Sequence, residues 1–215
     1  MPNLAVVLLT LSCATLVLAQ STPYASRDDA LKGLASADVE QRAEALAWIA
    51  QHGKPADSDI LRKRLADDNP YVRNVAEQGL WLLWSHSGDE EVDALLGKGV
   101  EEMQAHRLEE SIATFSEIIR RKPDFAEGWN KRATALFLAG EFRRSLADCD
   151  EVMKRNPLHF GALAGYGQIY FQLEQYERAI AYWKRALEVN PNLSGVETSI
   201  KATEQLLAER RRRGA

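Results

Sequence analysis

Apolar side chains recur at helical spacing along nearly the whole of this chain. After Pro70, the residues Val72, Val75, Ala76, Gly79, Leu80 and Leu83 share one face. Trp129, Ala133 and Leu136 do the same within a predicted helix 126–139, and Leu146, Cys149 and Val152 within another at 142–155. Near the end, Val196, Ile200, Thr203 and Leu207 form an apolar stripe with Lys, Glu and Arg opposite. Gly140 separates the middle two helices, and Asn156-Pro157 stops the second, because proline lacks the amide that a helix interior needs. The small polar stretch Ser85-His86-Ser87-Gly88-Asp89 breaks the chain into two parts. The pattern predicts an all-α chain.

A longer period lies over the helical one. Pro123, Pro157 and Pro191 stand 34 residues apart. The same interval relates Leu95, Trp129 and Leu163; Gly99, Ala133 and Gly167; Leu108, Phe142 and Tyr176; Ser111, Ser145 and Ala179; and Phe115, Cys149 and Trp183. A 34-residue period with a large residue, a small one four on, then small, aromatic and proline positions resembles the tetratricopeptide repeat. The resemblance implies three units, 92–125, 126–159 and 160–193, each an antiparallel helix pair. Residues 194–213 form a capping helix, for which Ser194 and Glu197 predict a capping box. No unit buries its apolar face alone, so the three stack into a helical-repeat solenoid with a right-handed groove lined by the first helix of each pair.

The first half also repeats. Aligning Leu34 with Leu65 carries Arg42 onto Arg73, Ala45 onto Ala76 and Ile49 onto Leu80, an offset of 31. Asn69 is placed to cap the helix that Pro70 opens. The run Asn69-Pro70-Tyr71-Val72-Arg73-Asn74-Val75-Ala76 resembles the second helix of a HEAT repeat, so residues 24–88 read as HEAT-like helix pairs. In that family the arginine and an acidic turn form a ladder, which here implies Arg42 with Asp38, and Arg73 with Asp67 or Asp68. The first copy lacks the proline, and an irregular helical cap on the tetratricopeptide block is the other reading. The apolar ends of the two solenoids predict that they stack.

Leu4 to Ala19 is an apolar run too short to span a bilayer as a helix, ending in small residues suited to cleavage after Ala19. Residues 1–19 are therefore expected to be a signal peptide, although the first three residues carry no Lys or Arg. Cleaved export and a retained anchor both stand, whereas lipidation at Cys13 fits poorly because apolar residues continue beyond it. Export, together with a resemblance to secreted bacterial tetratricopeptide proteins, points to the periplasm.

The formal net charge of −4 argues against a general affinity for nucleic acid. With Cys13 removed, Cys149 is alone and reads as a buried apolar filler. The run Arg210, Arg211, Arg212, Arg213 has a bland reading, complementing a helix C-terminus, and a sharper one, contact with anionic lipid or an acidic partner.

Catalysis finds no foothold. There is no glycine-rich phosphate loop, no Gly-x-Ser-x-Gly elbow and no metal-ligand pair at helical spacing, so no catalytic residue, metal site or cofactor is expected. His52, His86, His106 and His159 fall near helix ends and read as turn or cap residues. A lyase on a HEAT scaffold is the remote enzymatic alternative. The tetratricopeptide resemblance implies instead a protein or peptide partner held in the concave groove, by a non-enzymatic adaptor. Its chaperone-binding branch clamps a terminal carboxylate with Lys, Arg and Asn. This chain keeps Asn130 but offers no Lys or Arg at those positions of the third unit. The surface is expected to be neutral, with apolar steps at Met103, Phe137 and Phe171 and hydrogen bonders at Asn130 and Gln168. Packing against the neighbouring helix is the competing role for the three apolar residues.

Overall fold

A computed structural model describes residues 24–213. The expected signal peptide and Cys13 lie outside the described residues. The N-terminal part comprises α1 (Arg27–Gly33), α2 (Val39–His52), α3 (Ser58–Lys63) and α4 (Pro70–Ser85), with 3-10 turns at Pro55–Asp57 and Arg64–Ala66 flanking α3. Three helix pairs follow: α5 (Glu90–Gln104) with α6 (Leu108–Arg121), α7 (Ala126–Leu138) with α8 (Phe142–Arg155), and α9 (Phe160–Gln172) with α10 (Tyr176–Val189). The last element is α11 (Ser194–Arg213), and the described residues contain no strand.

Local chemistry sets the helix ends. Side-chain oxygens of Asp38, Asn69 and Asp89 accept bonds from the first free amides of α2, α4 and α5. Within each pair the first helix closes on a left-handed residue, His106, Gly140 or Glu174, again 34 residues apart. Beyond it, the amides of Arg107, Glu141 and Gln175 reach back to the carbonyls of Glu102, Leu136 and Tyr170. At α11 the expected capping box is not what forms. Ser194 lies inside the helix, the Glu197 amide bonds the Leu193 carbonyl, and the Glu197 carboxylate pairs with Lys201.

The two helices of each pair meet through a size-matched contact. A Cβ on Gly99 would collide with Phe115, and one on Gly167 with Trp183. In the second pair Ala133 is accommodated because its counterpart is the smaller Cys149. The hydroxyls of Ser111 and Ser145 donate to the carbonyls of Gly99 and Ala133. In the third pair Ala179 has no hydroxyl, and the Trp183 indole donates instead to Ala164.

The N-terminal repeat is visible in its polar bonds. Arg42 donates to the carbonyls of Ser36 and Ala37, and Arg73 to those of Asp67 and Asp68, the same bonds 31 residues on. The carboxylate pairing differs from expectation. Arg42 reaches forward to Asp67, through two bonds of 3.2 and 3.0 Å, and to Asp68, instead of pairing with Asp38. Arg73 takes Asn192 as its side-chain partner, while Asp67 pairs with both Arg42 and Arg64 and Asp68 with Arg42. The ladder thus runs from the first copy to the second and on to the turn before α11. Asn192 also donates to the Leu65 carbonyl, as Arg64 does to that of Leu34.

This ladder shows where the two parts stack, at the third pair and the turn before α11. The N-terminal part does not cap α5. It folds back onto the second and third pairs, where Phe160, Leu163, Ala186 and Leu193 complete one apolar core with Leu46, Ile49, Leu61, Leu80 and Leu83. The physical reason is the match of ends: the Asn190-Pro191-Asn192 turn supplies the polar partners that another helix pair would have supplied.

Candidate partner-binding groove

Helices α5, α7 and α9 lie side by side and form the inner layer of the repeat block. The first turns of α7 and α9 are covered by α4. Trp81 lies flush on the backbone of Gly161, where a Cβ would collide with its indole. Lys131 stands over the Trp81 ring, 5.7 Å from its centroid. Trp84 stacks on His159 with centroids 4.5 Å apart.

Beneath these rings lies a polar cluster. The Glu127 and His159 side chains are both fully buried, with Glu127 Oε2 3.0 Å from His159 Nε2. Glu127 Oε1 faces Lys131 Nζ at 3.0 Å, and the Asn130 amide donates to Oε2. His159 Nδ1 accepts the Ala162 amide at the start of α9, so the network assigns the ring proton to Nε2, which donates to Glu127. Burial by itself raises the Glu127 pKa. The Lys131 charge and the His159 hydrogen bond outweigh it and hold the group below the usual carboxylate range.

The expected binding residues therefore divide. Asn130 is only 7 % exposed and its amide is committed to Glu127. It does not reach a ligand in this arrangement. Met103, Phe137, Gln168 and Phe171 lie farther along α5, α7 and α9, beyond α4, and are half-buried. Phe137 rests one side on Phe142, and Phe171 on Tyr176 and Trp183. The apolar residues thus combine packing with a presented edge.

The Glu127, Lys131 and His159 cluster was not evident from the sequence as a unit. His159 carried the one signal, a histidine at a helix start, and capping is indeed part of its role. The cap reading also fits His106, in the α5–α6 turn, and His86, at the end of α4.

At the far end, Arg210 bonds Glu174 and the Tyr176 hydroxyl, and Arg211 faces Glu177 at 4.0 Å. These contacts tie α11 to the third pair. Among the described residues no group of His, Cys, Asp and Glu is placed to hold a metal ion, and no helix is long and apolar enough to cross a membrane. Between the two parts runs a cleft of about 620 Å³, lined by Trp84, Leu158 and Phe160 and rimmed by charges of both signs, Arg62 and Lys122 against Asp59 and Asp124.

Comparisons with known proteins agree with this architecture. Two family models, both described as tetratricopeptide repeat, match residues 96–152 and 163–193. A TPR repeat-containing protein of Rhizobium etli is 30% identical over 154 residues, which is 72% of this chain and 74% of that protein. The Hsp70-Hsp90 organizing protein of Triticum aestivum is 26% identical over 95 residues, covering 44% of this chain but 16% of its own length. Among solved structures, the first TPR of Spaghetti bound to an HSP90 peptide superimposes with a TM-score of 0.53 at 24% identity, covering 55% of this chain and 94% of that one. MamA superimposes with a TM-score of 0.52 at 14% identity, covering 80% and 86%. At these identities the structural likenesses establish the fold alone.

Proposed function

From the premise that this chain belongs to the tetratricopeptide repeat family, we propose that it is a non-enzymatic scaffold that holds a segment of a partner protein on its concave face. The observation that carries this reading is the uncharged part of that face, where Phe137 and Phe171 are only half-buried, near the equally half-buried Thr134 and Gln168. Uncharged apolar steps flanked by polar groups are what a peptide-binding surface requires. The Spaghetti domain, which has a similar fold, is bound to an HSP90 peptide in its solved structure. A carboxylate clamp is not part of the proposal, because Asn130 is engaged by Glu127.

The cell envelope is the proposed location, supported by the apolar run from Leu4 to Ala19 and by a bacterial relative. We read the N-terminal helix pairs as HEAT-like units that brace the groove. Photo-crosslinking in cells tests the binding reading. A crosslinking amino acid replaces Phe137, with exposed Arg144 on α8 as control. A discrete adduct from position 137 alone is expected, and its mass spectrum names the partner. Adducts only from 144, or from neither, reject the groove as the binding site.

A further inference from the structure

Equivalent positions of the second and third pairs carry different chemistry around their outer helices, α8 and α10. In the second pair Arg132 makes two hydrogen bonds to Asp148. In the third pair those positions hold Tyr166 and Tyr182, whose rings stack with centroids 4.4 Å apart. Arg144 pairs with Glu141, whereas Arg178 finds the uncharged Gln175 in its place, at 2.9 Å. Glu117 and Glu151 each pair with two cations in the last turns of α6 and α8. The next member of that series is Arg185. The acidic positions Glu141, Asp148 and Glu151 thus become Gln175, Tyr182 and Arg185.

This change leaves exposed cations without carboxylates. Among the described residues neither Arg178 nor Arg185 pairs with an Asp or Glu; the first bonds Gln175, and both rest on aromatic rings. They lie seven residues apart, about two turns, and so share one face of α10. Arg178 stands over the Tyr170 ring, 5.5 Å from its centroid, and Arg185 over Tyr182 at 5.0 Å. The two half-buried rings stack on each other with centroids 5.4 Å apart. A continuous row results: cation, ring, ring, cation. Asp150, the acid beside these rings, is engaged by the Tyr166 hydroxyl, which donates to it.

A guanidinium already resting on a ring has less freedom to lose when it takes a carboxylate. Arg and Tyr are also the side chains on which binding energy concentrates at interfaces. Uncompensated positive charge beside apolar ring faces complements an acidic chain. A membrane fits less well, because the exposed Glu177 and Glu188 of α10 would be pressed against its anionic headgroups.

We infer that the outer face of α10 is a second docking surface, which takes an acidic protein segment whose carboxylates are held by Arg178 and Arg185 across the stacked Tyr170 and Tyr182. It lies on the outer helix of the third pair and is independent of the groove reading above.

The test uses the full chain and two fluorescein-labelled synthetic peptides, read by fluorescence anisotropy at low ionic strength. One carries Glu-Glu pairs on either side of a central leucine; in the other every Glu is Gln. The acidic peptide is expected to bind about tenfold tighter or better, and added salt should weaken it. Arg185→Glu, which installs the side chain that α8 carries at the equivalent position, and Arg178→Gln should each weaken it several-fold. Arg212→Glu makes the same charge change on the exposed tail and leaves binding unchanged. Far-UV circular dichroism verifies that each variant is folded. Equal affinity for the two peptides, no binding by either at millimolar concentration, or equal weakening by Arg185→Glu and Arg212→Glu overturns the inference. Loss with Phe137→Ala but not with Arg185→Glu places the peptide in the concave groove and overturns it too. Phosphatidylserine vesicles are sedimented with the protein in parallel: vesicle binding that Arg185→Glu removes, without peptide binding, assigns the face to a membrane and rejects the acidic segment. The cellular adduct at position 137 is read separately, so failure here leaves the groove reading standing.

Discussion

Arg73 of α4 donates a 3.0 Å hydrogen bond to Asn192, at the turn before α11, across 119 residues of sequence. The bond belongs to a ladder in which the last tetratricopeptide turn takes the place of a third N-terminal helix pair. The apolar core beneath it is continuous across the two parts. The molecule is therefore expected to unfold as one unit. Equilibrium urea unfolding followed by tryptophan fluorescence and by circular dichroism should give coincident single transitions. Arg73→Ala should lower the midpoint by the equivalent of about 1.5–3 kcal/mol, the range for hydrogen bonds to a charged group. Two separated transitions in the unsubstituted protein would show that the parts fold independently.

The buried Glu127 gives the fold a sensitivity to acid. Its pKa is lower in the folded chain than in the unfolded one, so its contribution is complete above the unfolded value, about 4.3 for a free glutamate. That contribution is lost as pH falls through the depressed folded value. Stability should therefore decline below about pH 4. Glu127→Gln leaves Lys131 without its buried partner and should cost about 3–5 kcal/mol at neutral pH. The loss should shrink in acid, and an unchanged loss at pH 3 would refute the assignment.

Gly167 and Trp183 should be strongly coupled. Gly167→Ala introduces a Cβ into the indole, and overpacking of this kind costs about 1–3 kcal/mol even though alanine favours a helix. In a Trp183→Leu background the same substitution should be neutral or stabilising. A double-mutant cycle measured by thermal denaturation reads the coupling, and additivity would contradict the packing.

His106 adopts a φ of 57° at a turn where the second pair places Gly140. An L-residue in the left-handed region bears a cost of roughly 1–2 kcal/mol that glycine escapes, although glycine loses more entropy on folding. His106→Gly is expected to be neutral to stabilising by about 1 kcal/mol, read as a rise in melting temperature. Glu174→Gly should gain less, because Glu174 also receives a bond from Arg210.

Cys149 should be inert while the protein is folded. Burial raises its thiol pKa, and the neighbouring Asp148 and Asp150 charges raise it further. Alkylation at pH 8 should proceed only as fast as the molecule opens, and at the free-thiol rate in urea. Rapid labelling of the native protein would contradict the placement of this residue.

What the sequence determined by itself was everything that repeats. Helical periodicity and the proline interval are local or near-local requirements, each imposed once per unit, so the three pairs and the equivalence of Arg42 with Arg73 could be read from residue types alone, whereas the left-handed backbone at His106 and Glu174 could not. The sequence aligned Gly99 with Gly167 and Phe115 with Trp183, but that each glycine meets its aromatic partner is a finding of the structure. What only the tertiary structure decided was how the first half meets the second. Trp81 and Trp84 look in sequence like ordinary core residues of α4, and Glu127 and Asn130 like open groove positions. Their meeting depends on long-range fit: an Asn-Pro-Asn turn able to accept Arg73, and a glycine at 161 that lets an indole reach the backbone. No periodic pattern encodes such a match between distant surfaces, and it is this match that covers Asn130 while leaving Phe137 and Phe171 open.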